Sequence, residues 1–264
     1  MAGPLILLTN DDAFHAEGLR DLATAMHALG RVVVVAPDRD RSAASHALSL
    51  DHPLRPRRMS EDRWSVDGTP TDCVNLGVLG LLDARPDLVV SGINAGLNVG
   101  DDVTYSGTIA AAIEGTVLGV PSIAVSQDGP PYDFARGAEV AVAIARTVLE
   151  RGLPPDTLLS INVPREPHKG MKITRQGRRV YHEPIVKRVD PRGKTYYWIG
   201  GKPSGWRDDP RCDHAAVGEG YVSVTPLSID LTNHQALDAD LASWESVLKW
   251  AARRRRQGRS PASA

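Results

Sequence analysis

Three polar stretches hold the residues of this chain whose types and spacing could do chemistry. The first, "TNDDA", sets Asn10, Asp11 and Asp12 in a row at the end of the apolar run "LILL". Adjacent carboxylates repel each other unless something positive lies between them, and an all-oxygen cluster suits a hard cation such as Mg²⁺ or Mn²⁺. The plain alternative is that these aspartates cap a turn or the next helix. The pair offers at most two ligands, so a cation site needs further ones from elsewhere. The second stretch, "PDRDRSAASHALSL", supplies the carboxylates of Asp38 and Asp40 and the hydroxyls of Ser42 and Ser45. Loop serines also serve local turns, and His46 is expected to be a packed or surface side chain rather than a catalytic one.

The third stretch, "SGINAGLNVGDDVTYSGT", is the richest. Gly92, Gly96, Gly100 and Gly107 permit unusual backbone angles and close approach of a ligand. Asn94 and Asn98 are neutral oxygen donors able to coordinate a cation or hold a water. Ser106, Gly107 and Thr108 open a helix, where free N–H groups, two hydroxyls and the helix dipole make an anion site suited to phosphate. Ordinary capping accounts for Ser106 but not for the Gly and Asn before it. No G-x-G-x-x-G follows the first apolar run, and a P-loop, zinc motifs and a G-x-S-x-G elbow are missing too.

The elements that must position these loops alternate in type. Pro4–Thr9 reads as a strand, and Leu19, Leu22, Ala23, Met26 and Leu29 then share a helical face, with Gly30 expected as the C′ glycine. "RVVVVAP" is apolar throughout, as in a parallel sheet covered on both faces. In "GTPTDCVNLGVLGLL" Thr69 reads as N-cap, Pro70 as N1 and Asp72 as N3 of a helix. "DLVVSG", "VPSIAVS" and "TLLSINVP" read as strands, while "SGTIAAAIEGTVLG" and Phe134–Glu150 read as helices. The alternation predicts a doubly wound α/β sheet whose ligands bind beyond the strand carboxyl ends, where all three polar stretches fall.

From about Arg165 the composition turns charged and Gly/Pro-rich, and "TYYWIGG" reads as a β-hairpin. Tyr196, Tyr197, Trp198 and Trp206 have few aliphatic neighbours in sequence, so either they pack on another subunit or the arm folds back on its own domain. Leu237, Leu241, Trp244, Val247 and Leu248 make one stripe of a closing amphipathic helix. The expected organisation is a core over 1–164, a hairpin-and-helix extension over 165–252 and a basic tail over 253–264.

Composition narrows the class. With 31 Lys plus Arg against 32 acidic residues, nothing draws the chain to a nucleic-acid duplex or a membrane surface. The leading apolar run is too short to span a bilayer and lacks a basic flank, so no signal peptide is expected. Cys73 and Cys212 form no metal-ligand spacing and are expected as reduced thiols, with a single disulfide as the alternative.

Four stretches together resemble the SurE survival proteins, which are 5′(3′)-nucleotidases: "TNDDAFHAEGL", "APDRDRSAASHALSL", "GTPTDCVNLGV" with "PDLVVSGINAGLNVGDDVTYSGTIAAAIEG", and "EGYVSVTPLSIDLT". The resemblance runs from Leu5 to about Leu248. It implies a Rossmann-like three-layer αβα sandwich with a mostly parallel sheet and a C-terminal hairpin and helix arm used in oligomerisation. The implied activity is metal-dependent hydrolysis of nucleoside monophosphates, with end-wise cleavage of short polyphosphate in some members. Carried over by position, the metal ligands are Asp11, Asp12, Ser42 and Asn94, holding one Mg²⁺ or Mn²⁺ per subunit, with Asp11 and Asp12 as the catalytic carboxylates. Asn98, Ser106, Gly107 and Thr108 are then expected around the substrate phosphate. A cytoplasmic homodimer or homotetramer joined through the arm is implied as well. A catalytically silent nucleotide- or phosphate-binding regulator on the same fold is the other class of function left open. One position departs from the family: Ala13 stands where Gly is usual, which would strain the loop by about 1 kcal/mol if φ there is positive.

Overall fold

The protein is described by a computed structural model over residues 3–181, 185–199 and 203–238. The first apolar run forms β1 (Leu5–Thr9), buried along its length, and α1 (Glu17–Met26) follows with Leu19, Leu22, Ala23 and Met26 turned inward. After β2 (Arg31–Pro37), a hairpin of β3 (Arg57–Ser60) and β4 (Arg63–Val66) leads into α2 (Pro70–Leu76). Then come β5 (Leu88–Ala95), α3 (Gly107–Val117), β6 (Ser122–Gln127), α4 (Phe134–Arg151) and β7 (Thr157–Val163). Parallel pairing joins β4, β2, β1, β5, β6 and β7 side by side in that order.

Alternate residues of β1 feed two cores, since successive strand side chains point to opposite faces. Ile6 and Leu8 pack in one cluster with residues of α1 and α4, while Leu5 and Leu7 pack with Cys73 and Val74 of α2. Ile109 and Ala112 of α3 pack with Ala124 and Leu158. Helices therefore cover both faces of the sheet, the three-layer arrangement expected. Full burial of each Leu, Ile or Val contributes about 1.5–3 kcal/mol, which is why these runs choose the centre of the sheet. Cys73 and Cys212 are both free and buried.

Local chemistry sets the helix starts. Thr69 and Asp72 form the reciprocal capping box, with Pro70 just inside. Ser106 caps α3 by accepting from Ile109 N (3.1 Å), and Asp133 caps α4 by accepting from Arg136 N (3.1 Å). Gly119 (φ 73°) follows α3 as its sequence predicts. Gly30 does not play that part for α1, which ends at Met26. A Cβ on Gly30 would strike the Pro4 carbonyl, so glycine is needed there for backbone approach rather than for a left-handed cap.

The core does not stop at residue 164. The following elements are β8 (Met171–Ile173), β9 (Arg179–Tyr181), β10 (Ile185–Val189), β11 (Thr195–Ile199), β12 (Pro203–Trp206), α5 (Asp213–Gly218) and β13 (Val222–Ser228). β13 pairs antiparallel with β7, and β8 pairs with β13, so among the described residues the central sheet has nine strands including β3 at its other edge. Residues to Ile229 make one unit and those from Asp230 another, of which α6 (His234–Asp238) is the described helix. Leu241, Trp244, Val247, Leu248 and the basic tail lie outside the described residues.

The aromatics of the arm divide. β10 and β11 form a hairpin with Lys187 opposite Tyr197 and Val186 opposite Trp198, and Tyr197, Trp198 and Ile199 are 60%, 63% and 89% exposed. Trp206 instead folds back, its ring stacked on His214 (centroids 4.0 Å apart) with the Arg179 guanidinium 4.8 Å from its centroid.

Candidate functional site

The chain runs from β1 outward to β2 on one side and returns on the other side as β5. The carboxyl ends of β1 and β5 thus flank the point where strand order reverses, the place where open α/β sheets bind ligands. Asp11 and Asp12 follow β1 after Asn10, Asp38 to Ser45 follow β2, and Asn94 is the penultimate residue of β5. The pairing of β5 with β6 shifts register between Ser91 and Asn94, so the strand bends where its polar residues begin.

Asp11 is buried, 4% exposed, against the start of α3. The Thr108 hydroxyl donates to its Oδ1, and its backbone carbonyl accepts from Arg41 N at 2.8 Å. A Cβ on Gly107 would lie 2.9 Å from Asp11 Cβ and 3.0 Å from Oδ2, so the carboxylate reaches the helix only because residue 107 is glycine. Asp12 Oδ2 accepts from the Ala95 backbone N–H at 3.0 Å, which ties the β1 loop to the end of β5. The turn after the pair is held by Asn10, whose Nδ2 donates to Ala13 O (3.0 Å), and Ala13 itself sits at φ 82°. The condition for strain at this position is met.

Ser42 donates from both its N–H (2.7 Å) and its hydroxyl (2.6 Å) to Asp40 Oδ1, leaving the hydroxyl lone pairs unused. Asn94 Nδ2 donates to Gly96 O at 2.9 Å, leaving its Oδ1 as an acceptor. Asn98 is clamped from the sheet: its N–H donates to Asn162 Oδ1 (2.9 Å), its carbonyl accepts from Asn162 Nδ2 (3.1 Å), and its own Nδ2 donates to Ser126 Oγ (2.9 Å). At the α3 turn, Ser106 spends its oxygen on Ile109 and Thr108 spends its proton on Asp11, so the open donors are the Ser106 hydroxyl proton and the first backbone N–H groups.

The electrostatics of the pair are unbalanced. Burial pushes the Asp11 carboxyl up from 3.8 to about 6 against the pull of the Thr108 hydroxyl, and the neighbouring Asp12 charge pushes the same way. Burial also raises Asp12, opposed by the Ala95 N–H and assisted by Asp40. Among the described residues no Lys, Arg or His forms an ion pair with either carboxylate. No group of three or more His, Cys, Asp or Glu able to hold a metal occurs among them either, so a cation here would rely on neutral oxygens beside the two aspartates. The free acceptors of Ser42 and Asn94 are of that kind, and the donor set fits a hard divalent cation.

Several supporting residues escaped the sequence reading. Ala95 acts through its backbone, which no side-chain pattern reveals. Ser126 and Asn162 did carry a signal: each is a polar residue one position before the carboxyl end of its strand, and both are essentially fully buried.

Comparison with known proteins agrees with this architecture. Residues 6–183 match the family model described as survival protein SurE. The chain is similar to the protein named 5′-nucleotidase SurE of Geotalea daltonii, 53% identical over 245 residues that cover 91% of this chain and 98% of that one. It is 53% identical to the protein of the same name from Geobacter sulfurreducens, again over 91% of this chain and 93% of the relative. The crystal structure of the SurE protein from Aquifex aeolicus superposes with a TM-score of 0.82 at 47% identity, covering 90% of this chain and 98% of that one. On the strength of the family-model match, the identity to these relatives and the structural superposition, the chain belongs to the SurE family.

Proposed function

We propose that this protein is a metal-dependent 5′-nucleotidase that hydrolyses nucleoside 5′-monophosphates to nucleoside and phosphate. Action on 3′-monophosphates and on the ends of short polyphosphate are finer parts of the same reading. The observation that carries it is the Asp11–Asp12 pair, Asp11 buried and Asp12 partly so, which among the described residues forms no ion pair with a cationic side chain, with Asp11 lying against the start of α3. Asp11, Asp12, Ser42 and Asn94 would hold one Mg²⁺ or Mn²⁺. When bound, such a cation supplies Lewis-acid stabilisation of charge on the phosphoryl oxygens.

The chain's own groups do the rest. The backbone N–H of Gly107, the Ser106 hydroxyl proton and the Asn98 carboxamide would hold phosphate oxygens, with the positive end of α3 behind them. Thr108 serves this site through Asp11, which it fixes against the helix. A water attacks phosphorus in line while a carboxylate oxygen of the pair takes its proton, and the P–O bond to the nucleoside breaks on the opposite side, the departing oxygen taking up a proton from solvent. The rival route makes Asp11 the nucleophile through an aspartyl-phosphate. The tie of its Oδ1 to Thr108 favours water, because it constrains the carboxylate a nucleophile would need to turn. Hydrolysis of a nucleotide made chiral at phosphorus separates the two: inversion of configuration at phosphorus means a single in-line attack by water, and net retention means an aspartyl-phosphate.

A homodimer or homotetramer joined through the β10–β11 arm is part of this reading, supported by the exposed Tyr197, Trp198 and Ile199. A cytoplasmic location suits the two free cysteines. No helix among the described residues is long and apolar enough to cross a membrane. The test of function is phosphate release from a panel of nucleotides with Mg²⁺, Mn²⁺ or EDTA. Activity that persists in EDTA overturns the cation; metal-dependent nucleotide binding without phosphate release marks a regulator instead of an enzyme.

A further inference from the structure

The segment from Arg41 to Ser49 leaves the end of β2, carries Ser42, and runs as a strap across the starts of α2 and α3. It is not a relaxed path: Ala43 (φ 59°) and Ser45 (φ 53°) are both left-handed without being glycine. Such a path persists only when its surroundings over-determine it, and the anchors are visible. Arg41 N donates to Asp11 O at 2.8 Å, and Ser45 donates from Oγ to Thr104 O (2.9 Å) and from N to Tyr105 O (3.2 Å). Thr69 Oγ1 donates to Ala47 O at 2.7 Å, and Ser49 donates from N and Oγ to Asp72 at 2.9 and 2.7 Å.

One anchor differs from these. His46 Nε2 meets Glu114 Oε2 at 2.9 Å, while Asn75 Nδ2 donates to Glu114 Oε1 at 2.8 Å. The Glu114 side chain is 5% exposed, and the His46 side chain 37%. A carboxylate so deeply placed is expensive to desolvate and is weak evidence of stabilisation, so its retention asks for another reason. Glu114 lies seven residues after Gly107 on α3, about two helical turns, so the face that presents Gly107 to Asp11 also presents Glu114 to the strap. α3 is thereby a common rail, touching Asp11 at its start and holding the Ser42 segment two turns on.

We propose that His46 and Glu114 are positioning residues that fix the placement of Ser42 relative to Asp11. The proposal rests on the reading of Ser42 and Asp11 as ligands of one cation. Neither residue is proposed to touch cation or substrate. His46 sits partly at the surface, so its replacement leaves the core of the fold alone, whereas truncating Glu114 would take the carboxylate partner from both His46 and Asn75.

The test compares the full-length wild type with His46→Ala and His46→Gln, the latter keeping an N–H donor on a side chain of similar reach. Two readouts are taken on cation-free protein: amide hydrogen exchange over residues 41–49, and Mn²⁺ affinity by calorimetry without substrate. His46→Ala should speed exchange in the strap and weaken Mn²⁺ binding about tenfold, and His46→Gln should restore both. Unchanged exchange in His46→Ala overturns the proposal, and so does faster exchange with unchanged Mn²⁺ affinity. A fall in melting temperature that neither readout follows assigns the pair a merely structural part and overturns it too. Should the wild type take up no Mn²⁺, the cation reading fails on its own. The exchange comparison then still decides, faster exchange reversed by His46→Gln supporting the placement of Ser42 by His46.

Discussion

The crevice between β1 and β5 and the hairpin of β10 and β11 are both incomplete, in opposite senses. In the crevice the polar atoms are heavily tied: Asp11 to Thr108, Asp12 to Ala95, Ser42 to Asp40, and Asn98 to Asn162 and Ser126. What is left over is negative charge. Along the hairpin, among the described residues, the strands pair only with each other, and what is left over is apolar surface on both faces, from Ile185 and Val189 to Tyr197, Trp198 and Ile199. A two-stranded ribbon of that kind is marginal in water by itself. Surplus buried charge suits a small hard ion, as proposed for the site, and surplus exposed apolar area suits another protein surface, as proposed for the arm. The difference separates the two proposals by chemistry.

The largest expected effect breaks the crevice. Asp11→Asn should cut nucleotide hydrolysis by a factor on the order of 10³, measured as phosphate release at saturating Mg²⁺, and the hairpin's contribution to assembly should be unaffected in sedimentation. Near-wild-type turnover would remove Asp11 from the chemistry. The same variant carries a pH signature in cation-free protein. The folded Asp11 prefers its protonated form, with its carboxyl raised from 3.8 to about 6. Its contribution to stability is therefore full below about pH 4 and is lost as pH rises through 6, a loss worth about 3 kcal/mol. Denaturant midpoints should fall over that window in the wild type and fall less in Asp11→Asn. Mn²⁺ competes with that proton, so its affinity should tighten with pH up to about 6 and flatten above.

The next effect breaks the other region. Trp198→Ser together with Tyr197→Ser removes two large exposed aromatics, and aromatic anchors at an interface centre contribute about 2 kcal/mol or more each. The subunit dissociation constant should rise at least about 100-fold by analytical ultracentrifugation. An unchanged assembly would show that the hairpin is not its interface. Gly107→Ala returns to the crevice with a smaller perturbation. The added methyl would meet Asp11 at 2.9–3.0 Å, so the carboxylate must shift by some tenths of an ångström. Displacement on that scale should lower kcat/KM by about 10- to 100-fold with little change in melting temperature.

Much of this was legible in sequence, and the part that was not has a physical reason. The parallel sheet followed from apolar runs too uniform for a one-sided sheet, and the Thr69-Pro70-x-Asp72 start of α2 followed from side-chain chemistry local enough to read directly. The reach of the sheet beyond residue 164 was hidden, because β8 and β13 join it through pairings distant in sequence, with the charged arm between them. Gly30 was misread for a similar reason: the contact that demands glycine is with Pro4, not within its own helix. At the site, the Asp, Ser and Asn residues stood out by type. What each spends its hydrogen bonds on did not: the Thr108 hydroxyl, expected beside the phosphate, donates to Asp11.

The smallest expected effect falls on the hinge of the crevice. Ala13 holds φ 82° just after the aspartate pair, with Asn10 Nδ2 bonded to its carbonyl. An alanine there opposes the left-handed conformation by about 1 kcal/mol, while glycine would accept it and add some freedom to the unfolded chain. Ala13→Gly should therefore stabilise the protein by about 0.5–1 kcal/mol, a rise of about 2–4 °C in melting temperature at most. Two outcomes for cation affinity then discriminate. If the turn already holds Asp12 where it must be, Mn²⁺ affinity stays put and the strain is borne by the fold alone. If Ala13 pulls the pair off its best geometry, affinity improves along with stability, and the crevice is preorganised everywhere except at this one turn. The hydrogen bonds from Asn10 and Ala95 grip the loop on either side of Ala13, which favours the first outcome.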